Sequence, residues 1–476
     1  MNRRRRAAPL GLALALTCIA ALFAGCGSRL TQQSIADAAR RPIERGAAAS
    51  GTANGQQGSP VGAAGTTTTT SSGADDGSTP TTSAAGSGGS NTSANAGSPG
   101  GSAASSAGTA GGQANLSTIN LGNVGTYSGV IGAVFSGAQQ SLEVWEAYTN
   151  AHGGLNGHPV HVYFEDDGGD PSTSATDVQQ EVTRDHVIAF VGNLMPLTVS
   201  ASVPYLQQQN IPVIGGDASS VEWWQSPILF PQASGINGEN DITIKAAVAK
   251  GDTKMGLLYC IEDATCTNAY TQLIQQGGAK ADGVNPVYVA SYSITQPDLT
   301  AQCLDAKQAG ATFVYFAGDG DSLIRMSNDC AAQGYNPVYE ADSIAVDASV
   351  ASDSHLNGLL SAQTNFPWVD AYTPAQQLYQ QAVKQYDATL VGSASTSAEW
   401  ASGQLAVAAD KYLTANPTSA EFLQGLWSIK NNNLGGLAPP LTFTQGSPAT
   451  MSNCYFLMTL QNGTFTDLNK GNTQCD

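Results

Sequence analysis

Cys260, Cys266, Cys303, Cys330, Cys454 and Cys475 are the side chains with the plainest chemistry in this sequence. An even set of thiols points to disulfides in an oxidising compartment. Nearest-neighbour pairing (260 with 266, 303 with 330, 454 with 475) is the expected one of several connectivities. Zinc is the competing use, but no short CxxC spacing occurs and none of the five histidines adjoins a cysteine. Glu165, Asp166, Asp167 and Asp170 suggest calcium, yet their spacing is not that of an EF-hand loop, and a solvated strand end followed by a helix cap is expected instead. Ser128 sits in Gly-Thr-Tyr-Ser-Gly at 125–129 rather than in a GxSxG elbow, and neither HExxH nor a GxxxxGK phosphate loop is present. His152, His158, His161, His186 and His355 fall on turns or strands without an evident partner. The chain is therefore not expected to be an enzyme, and no metal or cofactor is expected.

The N-terminus sets the compartment. Residues 1–25 join a basic cluster (Arg3, Arg4, Arg5, Arg6) to an apolar stretch at 10–23 and to small residues running up to Cys26. That is the plan of an export signal. The apolar stretch falls short of the roughly 20 residues a membrane span needs. Leu22, Phe23, Ala24, Gly25 and Cys26 resemble a bacterial lipobox, which makes Cys26 the expected lipidated first residue of the mature chain. An ordinary secretory cut nearby, leaving Cys26 a spare thiol, is the competing reading. Within residues 26–115, the stretch from about Thr31 to Asn115 is dominated by Gly, Ala, Ser and Thr, with a threonine run at 66–70. Lacking large apolar side chains to offset its conformational entropy, this segment reads as a flexible tether, and its composition would permit O-glycosylation. The expected location is the outer face of a bacterial cell membrane, reached through the lipid alone.

Removing the signal takes away four arginines and no acids, so 19 basic residues become 15 against 37 acidic ones, a formal charge of -22. No basic stripe exists to neutralise phosphates, so nucleic acid is not an expected partner.

The 361 residues from Leu116 onward exceed what one core usually supports. Apolar runs of strand length at 119–122, 160–164, 187–191 and 211–214 alternate with helical spacing around Ala138, Leu142 and Trp145, at 174–184 and at 198–209. After a polar break at 234–241 the alternation resumes, with strands at 255–259, 286–290, 312–316 and 337–339 and helices near 267–276, 299–308 and 321–333. Helices follow at 374–386, 396–413 and 420–427, then an ending of short strands. The stretches 187–193 and 312–319 occupy matching places, a weak internal repeat. The reading is α/β: two similar parallel-sheet lobes joined by a hinge that the chain crosses more than once. Lobe I is expected to hold 116–235 plus about 363–450, and lobe II 236–362 plus about 451–476. In such sheets ligands sit beyond the carboxyl ends of the strands, so the interlobe cleft is the expected site.

Gly125, Thr126, Tyr127, Ser128 and Gly129, the loop Gly153-Gly154-Leu155-Asn156-Gly157, and residues 160–167 followed by Asp170-Pro171 together resemble the type 1 periplasmic binding proteins. More narrowly they resemble the leucine/isoleucine/valine-binding family that serves ABC transporters, over roughly residue 119 to the C-terminus. The resemblance implies a monomer that clamps a small molecule, such as an amino acid or amine, and delivers it to ABC permease subunits. A sensor that reports the ligand to a receptor is the alternative, a secreted hydrolase a more distant one. It also implies that loops after the third and fourth strands hold a ligand carboxylate: here Asn193, Leu194, Met195 and Thr198, then Asp217, Ala218 and Ser219. Pro196 departs from the serine common in the family, and Asp217 would repel a carboxylate if it faced the cleft. In the second lobe Asp263, Asp319 and Asp342 occupy the implied ligand positions, with Asp342 the expected acceptor of an ammonium. Asp319 stands where an aromatic is common, which widens the expected ligands to cationic, amine-bearing or hydroxyl-rich molecules. Tyr127 and Ser128 complete the expected site, Tyr127 as an aromatic wall, while Phe135 is expected in the core. Ser219 and Thr198 as helix caps, and Asp319 as a cap of the helix that follows it, are the competing structural roles.

Overall fold

The computed structural model describes residues 116–475. The expected export signal, Cys26, the expected tether and Asp476 lie outside the described residues. A first sheet holds β1 (Ile119–Gly125), β2 (Val160–Asp166), β3 (Ala189–Asn193), β4 (Val213–Gly216) and β5 (Leu229–Phe230) in the order β2-β1-β3-β4-β5, all parallel. Helices α1 (Ala138–Ala151), α2 (Pro171–Thr183) and α3 (Val199–Gln209) lie between successive strands. All of β3 is buried, as a strand covered on both faces must be. Asp170 begins α2 by accepting from the N–H groups of Ser172 and Thr173 at 2.9 and 2.8 Å, with Pro171 in the first helical position.

The second sheet repeats the plan. α4 (Ile236–Lys250) leads to β6 (Lys254–Cys260), then α5 (Ala264–Tyr270), α6 (Gly278–Ala281), β7 (Asn285–Tyr292), α7 (Thr300–Ala309), β8 (Phe313–Ala317), α8 (Gly320–Ala332), β9 (Val338–Ala341) and β10 (Leu360–Gln363). Its parallel part runs β7-β6-β8-β9-β10, strand for strand the order of the first sheet. β11 (Cys454–Gln461) and β12 (Thr464–Asp467) add an antiparallel hairpin beside β10, and β13 (Gln474–Cys475) pairs back onto β11.

Between β10 and β11 the chain returns to the first sheet through α9 (Pro374–Tyr386), α10 (Ala394–Ala409) and α11 (Ser419–Trp427). α10 packs on α1, β3 and β4. The Ser141 hydroxyl of α1 donates to the Thr396 carbonyl at 2.7 Å. Gly403 of α10 lies against the buried Trp145 of α1, where a Cβ would stand 2.4 Å from the indole, so a glycine is what lets the helices approach.

The three passages between sheets run side by side. Ser234 donates its N–H to the Thr364 carbonyl at 3.2 Å and its hydroxyl to the Cys454 carbonyl at 2.5 Å. The Tyr455 hydroxyl donates to the Gly235 carbonyl at 2.5 Å. Residues 234–241, expected as a polar break, instead include the first turns of α4. Their polar side chains have buried partners: Asn240 accepts from the Tyr315 hydroxyl at 2.5 Å and donates to Gln272 at 2.8 Å, and Glu239 accepts from the Ser343 N–H. β10, four residues long, also went unanticipated. The helix expected at 267–276 starts earlier as α5 and passes into a π-helical turn, Thr271–Gln275. No helix among the described residues is long and apolar enough to cross a membrane.

Three disulfides join Cys260 to Cys266, Cys303 to Cys330 and Cys454 to Cys475, the nearest-neighbour pairing. The second ties α7 to α8 and closes a loop of 27 residues, against 6 for the first. Loop entropy then makes the Cys303–Cys330 link worth about 3.5 kcal/mol and the Cys260–Cys266 link about 2.2 kcal/mol. Urea denaturation of the two Cys→Ala double variants is expected to rank them in that order; the reverse order would mean that local packing, not loop closure, sets their value.

Candidate functional site

Loops that follow the strands of both sheets border one cavity of about 360 Å³, within the range of small-molecule sites, roughly 300–1,000 Å³. Leu194 and Pro196 come from the loop after β3, Asp217 and Ser219 from the loop after β4. Across from them stand Asp263 after β6, Asp319 and Asp321 after β8, and Ser343 and Asp347 after β9. Phe135, Ile236, Ile344 and Val346 give apolar wall, and Thr364 and Asn365 come from the passage after β10.

Asp217 organises the first-lobe side. Its carboxylate accepts from the Met195 N–H at 2.8 Å, from the Ser219 N–H at 2.9 Å and from the Ser219 hydroxyl. Burial raises its pKa above the usual carboxylate range, and these hydrogen bonds oppose the shift. On the second-lobe side three of the acids also engage their own loops. Asp263 accepts from the Thr265 N–H at 2.6 Å, Asp319 from the Ser322 N–H at 2.9 Å, and Asp347 from the Ser349 N–H at 2.7 Å and hydroxyl at 2.5 Å. Asp263 and Asp319 thereby cap α5 and α8 while bordering the cavity, so the capping and lining positions coincide. Burial raises the Asp263 pKa as well.

Of the residues singled out in the sequence, Leu194, Asp217, Ser219, Asp263 and Asp319 line the cavity. Asp342 stands one residue behind the lining Ser343, almost fully buried, accepting from the Ala345 N–H at 3.1 Å and the Gly318 N–H at 3.4 Å. Burial first, and then the neighbouring Glu239, raise its pKa well above the usual range. Asn193 and Met195 are buried beneath the β3 and β4 loops, and Ala218 is buried with a left-handed φ of 52°. The Thr198 hydroxyl donates to Asp167 at 2.5 Å and makes no capping bond to α3. Tyr127 is half-buried, its hydroxyl on Asn123, and Ser128 is exposed with its N–H on Asp166 at 3.1 Å. Phe135 packs with Ile131 and Leu194 and borders the cavity too. Asp321, Asp347, Thr364 and Asn365 were not singled out. A strand-to-helix junction is a readable signal for Asp321; Asp347 lies farther along the loop after β9, and Thr364 and Asn365 lie on a passage whose position depends on how the chain crosses between sheets.

A family model described as a periplasmic binding protein matches residues 118–464. The chain belongs to the periplasmic binding protein family. No curated protein sequence matches the chain. A branched-chain amino acid ABC transporter structure from Thermus thermophilus with bound valine superposes with a TM-score of 0.66 at 14% identity, covering 76% of this chain and 98% of that one. A fatty acid ABC transporter substrate-binding protein from Thermomonospora curvata gives 0.64 at 16% identity, covering 76% and 93%. A solute binding protein from R. palustris in complex with benzoate gives 0.62 at 14%, covering 76% and 98%. The resemblance to type 1 binding proteins of the leucine/isoleucine/valine-binding kind and the two-lobe α/β class read from the sequence both hold. The family is extracytoplasmic, binds small molecules without transforming them and works with ABC permeases.

Glu239 ties α4 to the cavity loop after β9, and burial pushes its pKa from 4.5 up to about 7. A carboxyl protonated more readily in the folded state adds stability that is complete below the unfolded pKa and is lost as pH rises through the folded one. Between pH 4.5 and about 7 this amounts to about 3 kcal/mol. Urea denaturation across that window is expected to show unfolding free energy falling as pH rises, and Glu239→Gln, which keeps an oxygen for the Ser343 N–H, is expected to remove about that much of the fall.

Proposed function

We propose that this chain is an extracytoplasmic solute-binding protein of an ABC importer. It takes a small molecule, an amino acid or an amine-bearing relative of one, into the cavity between its lobes and delivers it to permease subunits without chemical change. One observation carries the reading: loops from the strand ends of two topologically repeated sheets meet around a single cavity of about 360 Å³. The protein acts as a monomer held by lipid on Cys26, with residues 26–115 as the tether. Ser234 and the two passages bonded to it form the hinge about which the lobes close. Asp263 and Asp319, beside Asp217 and Ser219, orient the ligand; Asp342 sets the loop that presents Ser343. The valine, benzoate and fatty acid named for structures of this fold mark a range of small ligands the fold accommodates.

A ligand that binds only the folded state raises the melting temperature by mass action. Thermal-shift measurements on the full chain against amino acids, amines and aromatic acids are expected to find a ligand, recovered chemically unchanged, that also contracts the protein in small-angle scattering. Asp319→Asn is expected to weaken that ligand by about 10-fold or more, the value of a charge-assisted hydrogen bond. A ligand whose affinity ignores both Asp319→Asn and Asp263→Asn would place binding outside this cavity, and turnover of the ligand would replace the transport reading with an enzymatic one.

A further inference from the structure

The cavity carries five carboxylates, Asp217, Asp263, Asp319, Asp321 and Asp347, and no lysine, arginine or histidine. None of the five takes part in an ion pair. Among the described residues no three acids converge on a point that would hold a metal ion. Asp263 is buried, Asp217, Asp319 and Asp347 are half-buried and Asp321 is exposed; the four carboxylates drawn out of water call for compensating charge from what enters the cavity.

The hydrogen-bond donors of the same loops tell against a ligand anion. The Met195 N–H, the Ser219 N–H and the Ser219 hydroxyl would be natural partners for an anion on the first-lobe side, and all three donate to Asp217. Pro196, next in the wall, has no N–H. Opposite, the N–H groups of Thr265, Ser343 and Ser349 donate to Asp263, Glu239 and Asp347. The buried side-chain atoms that the lining leaves unpartnered are of the other polarity. Asp319 Oδ2 and Asn365 Oδ1 are buried without a hydrogen-bond partner, and Asn365 is only 6% exposed. Both atoms accept; both lack a donor. Between the acids lie Val134, Phe135, Leu194, Ile344 and Val346.

The structure assigns the cavity to an organic cation: a protonated amine on an apolar body, with no carboxylate. This rests on the solute-binding reading above and narrows it. Asp217 fills from within the protein the place a ligand carboxylate would take, and the ligand brings only the ammonium and the apolar body. An α-amino acid meets Asp217 and its engaged donors with a second negative charge; the amine of the same side chain does not.

The test compares matched pairs on the full chain by isothermal titration calorimetry at pH 7: 2-phenylethylamine with phenylalanine, isoamylamine with leucine, cadaverine with lysine, and benzoate alone. At least one amine is expected to bind, at least 10-fold tighter than its amino acid, with benzoate silent. An amino acid or benzoate that binds while every amine fails, or that equals its amine, overturns the cation assignment and leaves solute binding standing; silence of every probe overturns both. Asp217→Ser frees the three donors and is expected to move the amine-to-amino-acid affinity ratio at least 10-fold toward the amino acid. Asp217→Asn keeps the size and one acceptor and is expected to weaken the amine if the serine variant does not fold. A ratio unmoved by Asp217→Ser, or an amine affinity unmoved by Asp217→Asn, overturns the assignment.

Discussion

Three stretches of chain pass between the lobes side by side, and Ser234 bonds to both of the others, through its N–H to Thr364 and through its hydroxyl to Cys454. The arrangement of the site follows from this junction. Each sheet is built from βαβ units, so the loops that carry polar side chains gather at the carboxyl ends of its strands. Two such ends form a cavity only if they are held facing each other. A single linker would leave that orientation loose, whereas three adjoining passages restrict it. The junction also supplies part of the wall, since Thr364 and Asn365 belong to one of the passages.

Buried carboxyls are the second theme of the structure. Glu399 of α10 lies wholly buried against β3, where Gly192 leaves room: a Cβ there would stand 1.7 Å from a Glu399 oxygen. With no donor to offset it, desolvation raises the Glu399 pKa well above the usual carboxylate range. Burial raises the Glu340 pKa on β9 too, with the Lys250 charge opposing the shift. Asp217 and Asp263 at the cavity differ in that loop N–H groups donate to them, which opposes the upward shift caused by burial. Carboxyl groups thus stand as unpartnered core filling in one place and as organisers of a loop in another, according to whether backbone donors reach them.

The organisation of the described chain was legible in the sequence wherever local signals agreed. Apolar runs separated by helical spacing located nearly all the parallel strands, and Asp170-Pro171 marked the start of α2. The even number of thiols pointed to disulfides, and the nearest-neighbour choice among the possible connectivities is the one the fold adopts. Local signals failed at residues 236–241, where a polar stretch reads as a break. Glu239 and Asn240 are helical because Ser343 and Tyr315, about a hundred and about eighty residues on, give them buried partners. β10 is short and its identity depends on lying between β9 and β11.

The sequence by itself determined that the chain carries an export-like N-terminus, a low-complexity segment and two repeated α/β halves, because those properties reside in composition and periodicity. It also brought out Asp217, Ser219, Asp263 and Asp319, which follow strands directly and so stand at the strand ends whatever the lobes do. Only the tertiary structure decided which acids share one cavity and which stand behind it. Asp342 and Asp319 have the same kind of address in the sequence, at a strand end before a helical turn. Yet Asp319 reaches the cavity, while Asp342 turns its carboxylate onto the Gly318 and Ala345 N–H groups beneath the wall. That difference depends on packing between segments far apart in the chain, where direction as well as position is fixed, and no local pattern encodes it.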